Sequence, residues 1–194
     1  MVEIVDFDQS PFGRDRRLAP LLSGEGARAY YRVGYLDCAR DAVVALRHRR
    51  GGNTSAMPVL YLFRHYVELA LKDVLSAAGA FAIDVIDRRF GHDLTALWAE
   101  AEKVFANFGV DPGAERRGLL DELFELDARA DAFRYALDNR DRRQFAGIGT
   151  VNLDALLRGI DSMSELFELL LRDMERSEAE MDEAIADAIE RDPY

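Results

Sequence analysis

The chain has 194 residues, with 49% apolar residues, 31% charged residues and a net charge of −11. This is the composition of a globular protein, and the length suits one domain. The negative charge argues against broad, non-specific binding to duplex nucleic acid, because such binding needs a basic surface that faces the phosphates.

Cysteine content and hydropathy limit the cellular compartment and the kinds of site that are expected. Cys38 is the single cysteine, which excludes an intrachain disulfide and cannot form a zinc site alone. The first residues, MVEIVDFDQSPFGRDRR, contain no apolar run of signal-peptide length. No stretch approaches the roughly 20 apolar residues of a membrane span. We therefore expect a cytoplasmic protein without a membrane contact.

The first half of the chain is predicted to form two helices after an irregular lead-in. Residues 1–24 contain two prolines and several charges, so we expect no regular element there. Apolar residues spaced three or four apart predict a first helix over about residues 25–49. The sequence RRGGNTSAMP then interrupts the helix, and a second helix is predicted over about residues 56–78.

The middle of the chain is predicted to be helical with one undecided segment. The stretch AFAIDVIDRRFGHD fits either a loop with a short strand or a turn. A third helix is predicted to start near His92 or Asp93, either of which could cap it. After the turn GVDPG, the sequence AERRGLLDELFELDARADAFRYALD resumes helical spacing. The polar, glycine-rich sequence NRDRRQFAGIGT predicts a loop.

The last segment has the most regular apolar pattern of the chain. It holds a heptad pattern for about three heptads, formed by Leu153, Ile160, Phe167 and Met174 with Leu156, Met163 and Leu170 between them. The pattern fits a long helix inside an intramolecular bundle, and it also fits a seam between two chains. Few strands are expected anywhere, so the fold class is all-α. We divide the chain into the lead-in, a bundle domain over residues 25–176 and an acidic helix extension or tail over residues 177–194.

The second helix carries charged residues at the edge of its apolar stripe. On a helical wheel, Arg64 falls at the shoulder of the stripe, Glu68 lies just beyond it, and His65 and Lys72 lie further round. A charge at a buried edge is costly unless it is paired. Arg64 is therefore predicted to meet Glu68, a carboxylate of another helix, or the anion of a ligand in a groove between helices.

Three short pieces of the sequence occur in an order that is typical of one family. They are FRHYVELALK, GHDLTALW and DARADAFRYALD. In this order they resemble the HEPN superfamily of small helical-bundle proteins. The resemblance implies an up-and-down bundle of four or more helices, usually a homodimer, and an association with RNA cleavage, toxin–antitoxin pairs or phage defence.

The sequence departs from that family at the residues that usually carry catalysis. Catalytic members have an arginine separated from a histidine by four to six residues. The three histidines here are His48, His65 and His92, and none follows an arginine at that distance. The usual ribonuclease motif is therefore absent.

Other residues could still supply the chemistry of RNA cleavage without a metal. That reaction needs a base, an acid and a cation for the phosphorane charge. The candidate catalytic residues are His65, Arg64 and His92, and the candidate substrate-binding residues are Glu68, Lys72, Arg134 and Tyr135. Purely structural roles are the alternative for some of these residues. The GHD sequence that contains His92 could cap a helix. Arg134 could pair with an acid, and Tyr135 could be a half-buried tyrosine. Glycine-rich phosphate loops, His-Glu-x-x-His and paired Glu-x-x-His motifs are missing, so we expect no cofactor and no metal.

Two functional interpretations follow. The first is a HEPN-like homodimer with an RNA or nucleotide ligand, in bacterial defence or beside an antitoxin-like protein partner. Under it, one polar groove is lined by Arg64, His65, Glu68, Lys72, His92 and Arg134. If it is an enzyme, it is a metal-independent endoribonuclease. The second is a non-enzymatic dimeric scaffold that associates through its C-terminal heptads.

Overall fold

The computed structural model describes residues 27–48, 56–85, 91–127, 132–134 and 150–191. These residues form five α-helices and no strand, and a 3₁₀ turn over Ala78–Phe81 follows the second helix. The helices are α1 (Ala27–Arg47), α2 (Ala56–Ala77), α3 (Leu94–Asn107), α4 (Ala114–Leu126) and α5 (Leu153–Arg191). The predicted all-α bundle with a long C-terminal helix is confirmed. The predicted lead-in over residues 1–24 lies outside the described residues.

Helix α2 is the central element of the bundle. It packs against α1, α3 and α5. Its apolar residues recur every three or four positions and cover more than one side of the helix, so Phe63, Tyr66, Val67 and Leu71 are all buried. Because of this central position, polar side chains of α2 contact Arg32 of α1, His92 just before α3 and Asp127 just after α4.

An arginine–acid ladder aligns α1 with α5 in antiparallel orientation. Its three pairs are Arg32–Glu168, Arg40–Asp161 and Arg47–Asp154. Successive partners lie about two turns apart on both helices and run in opposite directions. Arg32 is buried and also binds Asp73 of α2, with 2.9 Å between Nε and Oδ2. The other two pairs are solvated, so they add little to the free energy of unfolding and mainly define the register of α1 against α5.

The heptad residues of α5 lie inside the chain's own core. Leu156, Ile160, Met163, Phe167, Leu170 and Met174 are all buried in the single chain. Of the two alternatives for this pattern, the structure therefore supports the intramolecular helix over this stretch. Beyond Met174 the helix continues to Arg191, and all of these residues except the half-buried Ser177 are exposed.

The start of α3 follows the predicted capping chemistry. Asp93 caps α3, since its Oδ1 accepts a hydrogen bond from the amide of Ala96 at 3.1 Å. The side chain of Asn152 accepts hydrogen bonds at the start of α5 in the same way. Helix α4 ends at Leu126, which is also the last residue of the apolar spacing Leu119, Leu123 and Leu126, and the backbone of Asp127 leaves the helical conformation.

Two glycines in neighbouring helices should respond differently to replacement by alanine. A Cβ at Gly118 of α4 would meet nothing within 4 Å, whereas one at Gly159 of α5 would lie 2.6 Å from Cδ2 of Leu119. Alanine in a helix interior is favoured over glycine by about 1 kcal/mol. Gly118→Ala should therefore raise the free energy of unfolding by up to about 1 kcal/mol, while at Gly159 the crowding should cancel that gain. Urea unfolding of both variants checks this, and an equal rise in both would contradict the close approach of α4 to α5.

Candidate functional site

Arg64 is a buried arginine that joins three parts of the bundle. Its Nη1 donates to Oε2 of Glu68 at 3.0 Å, and its Nη2 donates to the carbonyl oxygen of His92 at 2.8 Å. Its Nε lies 2.9 Å from Oδ2 of Asp127, just after α4. Two carboxylates of the chain thus neutralise the guanidinium. Of the partners predicted for Arg64, these are acidic side chains and not the anion of a ligand.

Glu68 is the centre of the charged group around Arg64. Besides Arg64, it binds Nζ of Lys72 at 2.6 Å and Nδ1 of His92 at 2.7 Å, both through Oε1. Burial acts to raise the pKa of Glu68, but the hydrogen bonds from Lys72 and His92 outweigh it and the pKa is lowered. Glu68 is therefore a carboxylate at neutral pH. We call Arg64, Glu68, Lys72, His92 and Asp127 the Glu68 cluster.

His92 is the member of the Glu68 cluster that reaches solvent most fully. Its side chain is 68% exposed, while those of Arg64 and Glu68 are 2% exposed. Because the carboxylate of Glu68 binds Nδ1, it favours the tautomer that carries a proton on Nδ1. The lone pair of Nε2 then points away from Glu68. An imidazole held in this way can accept a proton from a molecule bound at the surface.

An aromatic surface adjoins the Glu68 cluster. The ring of His65 meets Tyr35 edge-on at 4.4 Å and is parallel to the ring of Tyr61 at 5.8 Å between centroids. Arg134 lies over the ring of Tyr61, with Cζ 5.9 Å from the centroid. Tyr31 is exposed and lies one helical turn before Tyr35 on α1. We call Tyr31, Tyr35, Tyr61, His65 and Arg134 the aromatic face.

His65 is electrostatically coupled to the Glu68 cluster. Burial lowers the pKa of His65, Glu68 opposes this effect, and the charges of Lys72 and Arg64 lower the pKa further. The net shift is downward from the ordinary value of 6.5, so His65 is neutral at pH 7. The aromatic face is thus uncharged apart from Arg134.

The candidate residues do not line one polar groove as expected. Arg64 and Glu68 are covered, because α2 turns them towards Asp127 and the start of α3 instead of towards solvent. Lys72 is half-buried and His92 is exposed. His65 lies with the tyrosines, and Tyr135 lies outside the described residues. The catalytic and substrate-binding roles of these residues stay predictions.

Asp127 is the member of the Glu68 cluster that the sequence reasoning missed. Its Oδ2 faces Arg64, and its Oδ1 accepts a hydrogen bond from the amide of Ala132 at 2.7 Å. The signal was present, since a buried arginine needs compensating charge and Asp127 begins the sequence DARADAFRYALD. Periodicity alone could not show that this residue reaches α2.

One cavity lies apart from these residues. It has a volume of about 600 Å³ and lies between the start of α2, α4 and the start of α5. Its lining is mainly apolar and includes Leu60, Phe63, Leu123, Phe133 and Leu156. None of the candidate catalytic or substrate-binding residues that the structure describes lines it, so the cavity and the Glu68 cluster are separate features.

Comparisons with known proteins gave no relative for this chain. No protein-family model, no curated protein and no solved structure matches it. Among the described residues, no helix is long and apolar enough to cross a membrane. In the same part of the chain, no three His, Cys, Asp or Glu side chains are grouped so that they could hold a metal ion.

Proposed function

We propose that this chain has an RNA-related role and that RNA binds over His92 and the aromatic face. The pairing of His92 with Glu68 carries the proposal, because a buried carboxylate fixes an exposed imidazole beside a set of aromatic rings. The family and its setting, a HEPN-like homodimer of bacterial defence or of a toxin–antitoxin pair, rest on the sequence resemblance. Light scattering on the full chain tests the dimer.

The aromatic face suits single-stranded RNA better than a duplex. Bases of a single strand can stack on tyrosine, histidine and arginine side chains, and each stacked base contributes about 1–3 kcal/mol. Arg134 and Lys72 add positive charge to the same region. The net charge of −11 disfavours binding of the continuous backbone of a duplex.

The enzymatic form of the proposal is cleavage of RNA without a metal. Nε2 of His92 takes the proton of a 2′-hydroxyl, and the freed oxygen attacks the adjacent phosphorus. The bond from phosphorus to the 5′-oxygen breaks, and that oxygen takes a proton from water. The products are a 2′,3′-cyclic phosphate and a free 5′-hydroxyl. Lys72 shares Oε1 of Glu68 with His92, so its ammonium can stabilise the negative charge on the phosphate oxygens.

Two adjacent tyrosines give a matched test of RNA binding. Tyr30 and Tyr31 are both exposed, but they lie about 100° apart around α1, and only Tyr31 lies one turn before Tyr35 in the aromatic face. Tyr31→Ala should weaken binding of a labelled single-stranded RNA by about tenfold, whereas Tyr30→Ala should leave it unchanged. Fluorescence anisotropy measures both dissociation constants. Equal binding by the two variants, or no binding by the unaltered chain, would refute RNA binding at this face.

A further inference from the structure

The end of α5 extends beyond the core of the bundle. Met174 is the last buried residue of the helix, and α5 continues from there to Arg191. At a rise of 1.5 Å per residue this part is about 25 Å long. All its residues are exposed except Ser177, which is half-buried. We call residues 175–191 the α5 extension.

The α5 extension carries an apolar stripe that continues the core face of the same helix. The stripe consists of Met181, Ala184, Ile185, Ala188 and Ile189. At 100° per residue these positions fall on the side of α5 that buries Leu170 and Met174 in the core. Met181, Ile185 and Ile189 are nevertheless 44%, 55% and 66% exposed. The stripe therefore has the pattern of a helix-packing face but no described helix over it.

Among the described residues, the part of this face that another helix covers ends where α1 begins. Helix α1 runs antiparallel to α5, and the pair of the arginine–acid ladder nearest the extension is Arg32–Glu168. Since α1 starts at Ala27, it reaches only to about the level of Met174 on α5. A further helix could occupy the position over the extension that α1 occupies over the preceding turns.

The charge of the α5 extension selects the kind of partner. The extension has seven acidic residues and two arginines. Both arginines are paired with acids of α5 itself, Arg176 with Asp173 at 3.0 Å and Arg191 with Asp187 at 3.3 Å. Two copies of the extension would bring like charges together, and nucleic acid or an anionic membrane would be repelled. A partner with a basic surface would be complementary in charge to the α5 extension.

We propose that the α5 extension is a docking site for a basic amphipathic helix of a partner protein. The apolar side of that helix packs on Met181, Ile185 and Ile189, and its lysines and arginines face the acids that flank the stripe. This site is separate from the Glu68 cluster and does not depend on the RNA-related role.

The test uses a labelled peptide and the full chain. The peptide is about three heptads long, with leucine at the a and d positions and lysine or arginine at the positions beside them. We expect binding that weakens with added salt and falls at least about tenfold in the variant M181S/I185S/I189S. The matched control, V33S/V44S/L169S, removes three other exposed apolar side chains and should bind like the unaltered chain.

A charge variant makes the test independent of the apolar substitutions. E178Q/E180Q/D182N keeps the stripe but removes flanking charge, and it should weaken the binding and reduce its salt dependence. Several results would overturn the proposal. They are absence of binding, equal binding by the two serine variants, or equal binding of a peptide with glutamate in place of its basic residues. A dimer of the unaltered chain that M181S/I185S/I189S converts to a monomer would also overturn it, because a second copy would then cover the stripe.

Discussion

Replacing Arg64 by methionine is expected to lower the free energy of unfolding by about 3–5 kcal/mol. Methionine keeps much of the apolar stem but leaves the carboxylates of Glu68 and Asp127 buried without the guanidinium between them. The carbonyl oxygen of His92 also loses its donor. Urea unfolding followed by circular dichroism measures the change.

Arg28 provides the control for Arg64. Its side chain is 58% exposed and lies 3.5 Å from a carboxylate oxygen of Asp73, so this ion pair is solvated. Arg28→Met should change the free energy of unfolding by less than about 1 kcal/mol. If Arg64→Met destabilised the chain no more than Arg28→Met, the Glu68 cluster would not be the structural centre that we describe.

Replacing His92 by glutamine is expected to slow RNA cleavage by about 10²–10⁴-fold. Glutamine keeps a polar side chain at this exposed position but cannot take the proton of a 2′-hydroxyl. The variant should still bind RNA, because the aromatic face is unaltered. Rates measured on labelled transfer RNA and total RNA, together with analysis of the ends for cyclic phosphate, check both points.

His48 provides the control for this experiment. It is an exposed histidine just after α1, and it does not belong to the Glu68 cluster. His48→Gln should cleave RNA at the unaltered rate. Identical background cleavage by the unaltered chain and both variants would end the enzymatic form of the proposal and leave RNA binding to be judged by the Tyr31 experiment.

The helices could be predicted because their signals are local. Spacing of three or four between apolar residues places α1, α2 and α3 within a few residues of their observed bounds. The heptads of α5 were ambiguous, because a helix packed inside one chain and a seam between chains require the same spacing. Only the three-dimensional packing of Ile160, Phe167 and Leu170 distinguishes the two.

Only the contacts of the site that lie within a single helix could be predicted from the sequence. The pairing of Arg64 with Glu68 follows from their separation of one turn on α2. The contact with Asp127 depends on how α4 ends and packs, which periodicity does not show. The helical wheel also placed His65 near Lys72, but it could not show that His65 packs against Tyr35 and Tyr61 while His92 binds Glu68.

The tautomer of His92 tests the central claim most directly, namely that a buried carboxylate holds an exposed imidazole with Nε2 outward. Long-range ¹H–¹⁵N correlation spectra of the full chain report which ring nitrogen carries the proton, with His48 as the reference for an exposed histidine. We predict that neutral His92 carries its proton on Nδ1 and that Glu68→Leu abolishes this preference. Protonation of neutral His92 mainly on Nε2 in the unaltered chain would contradict the account.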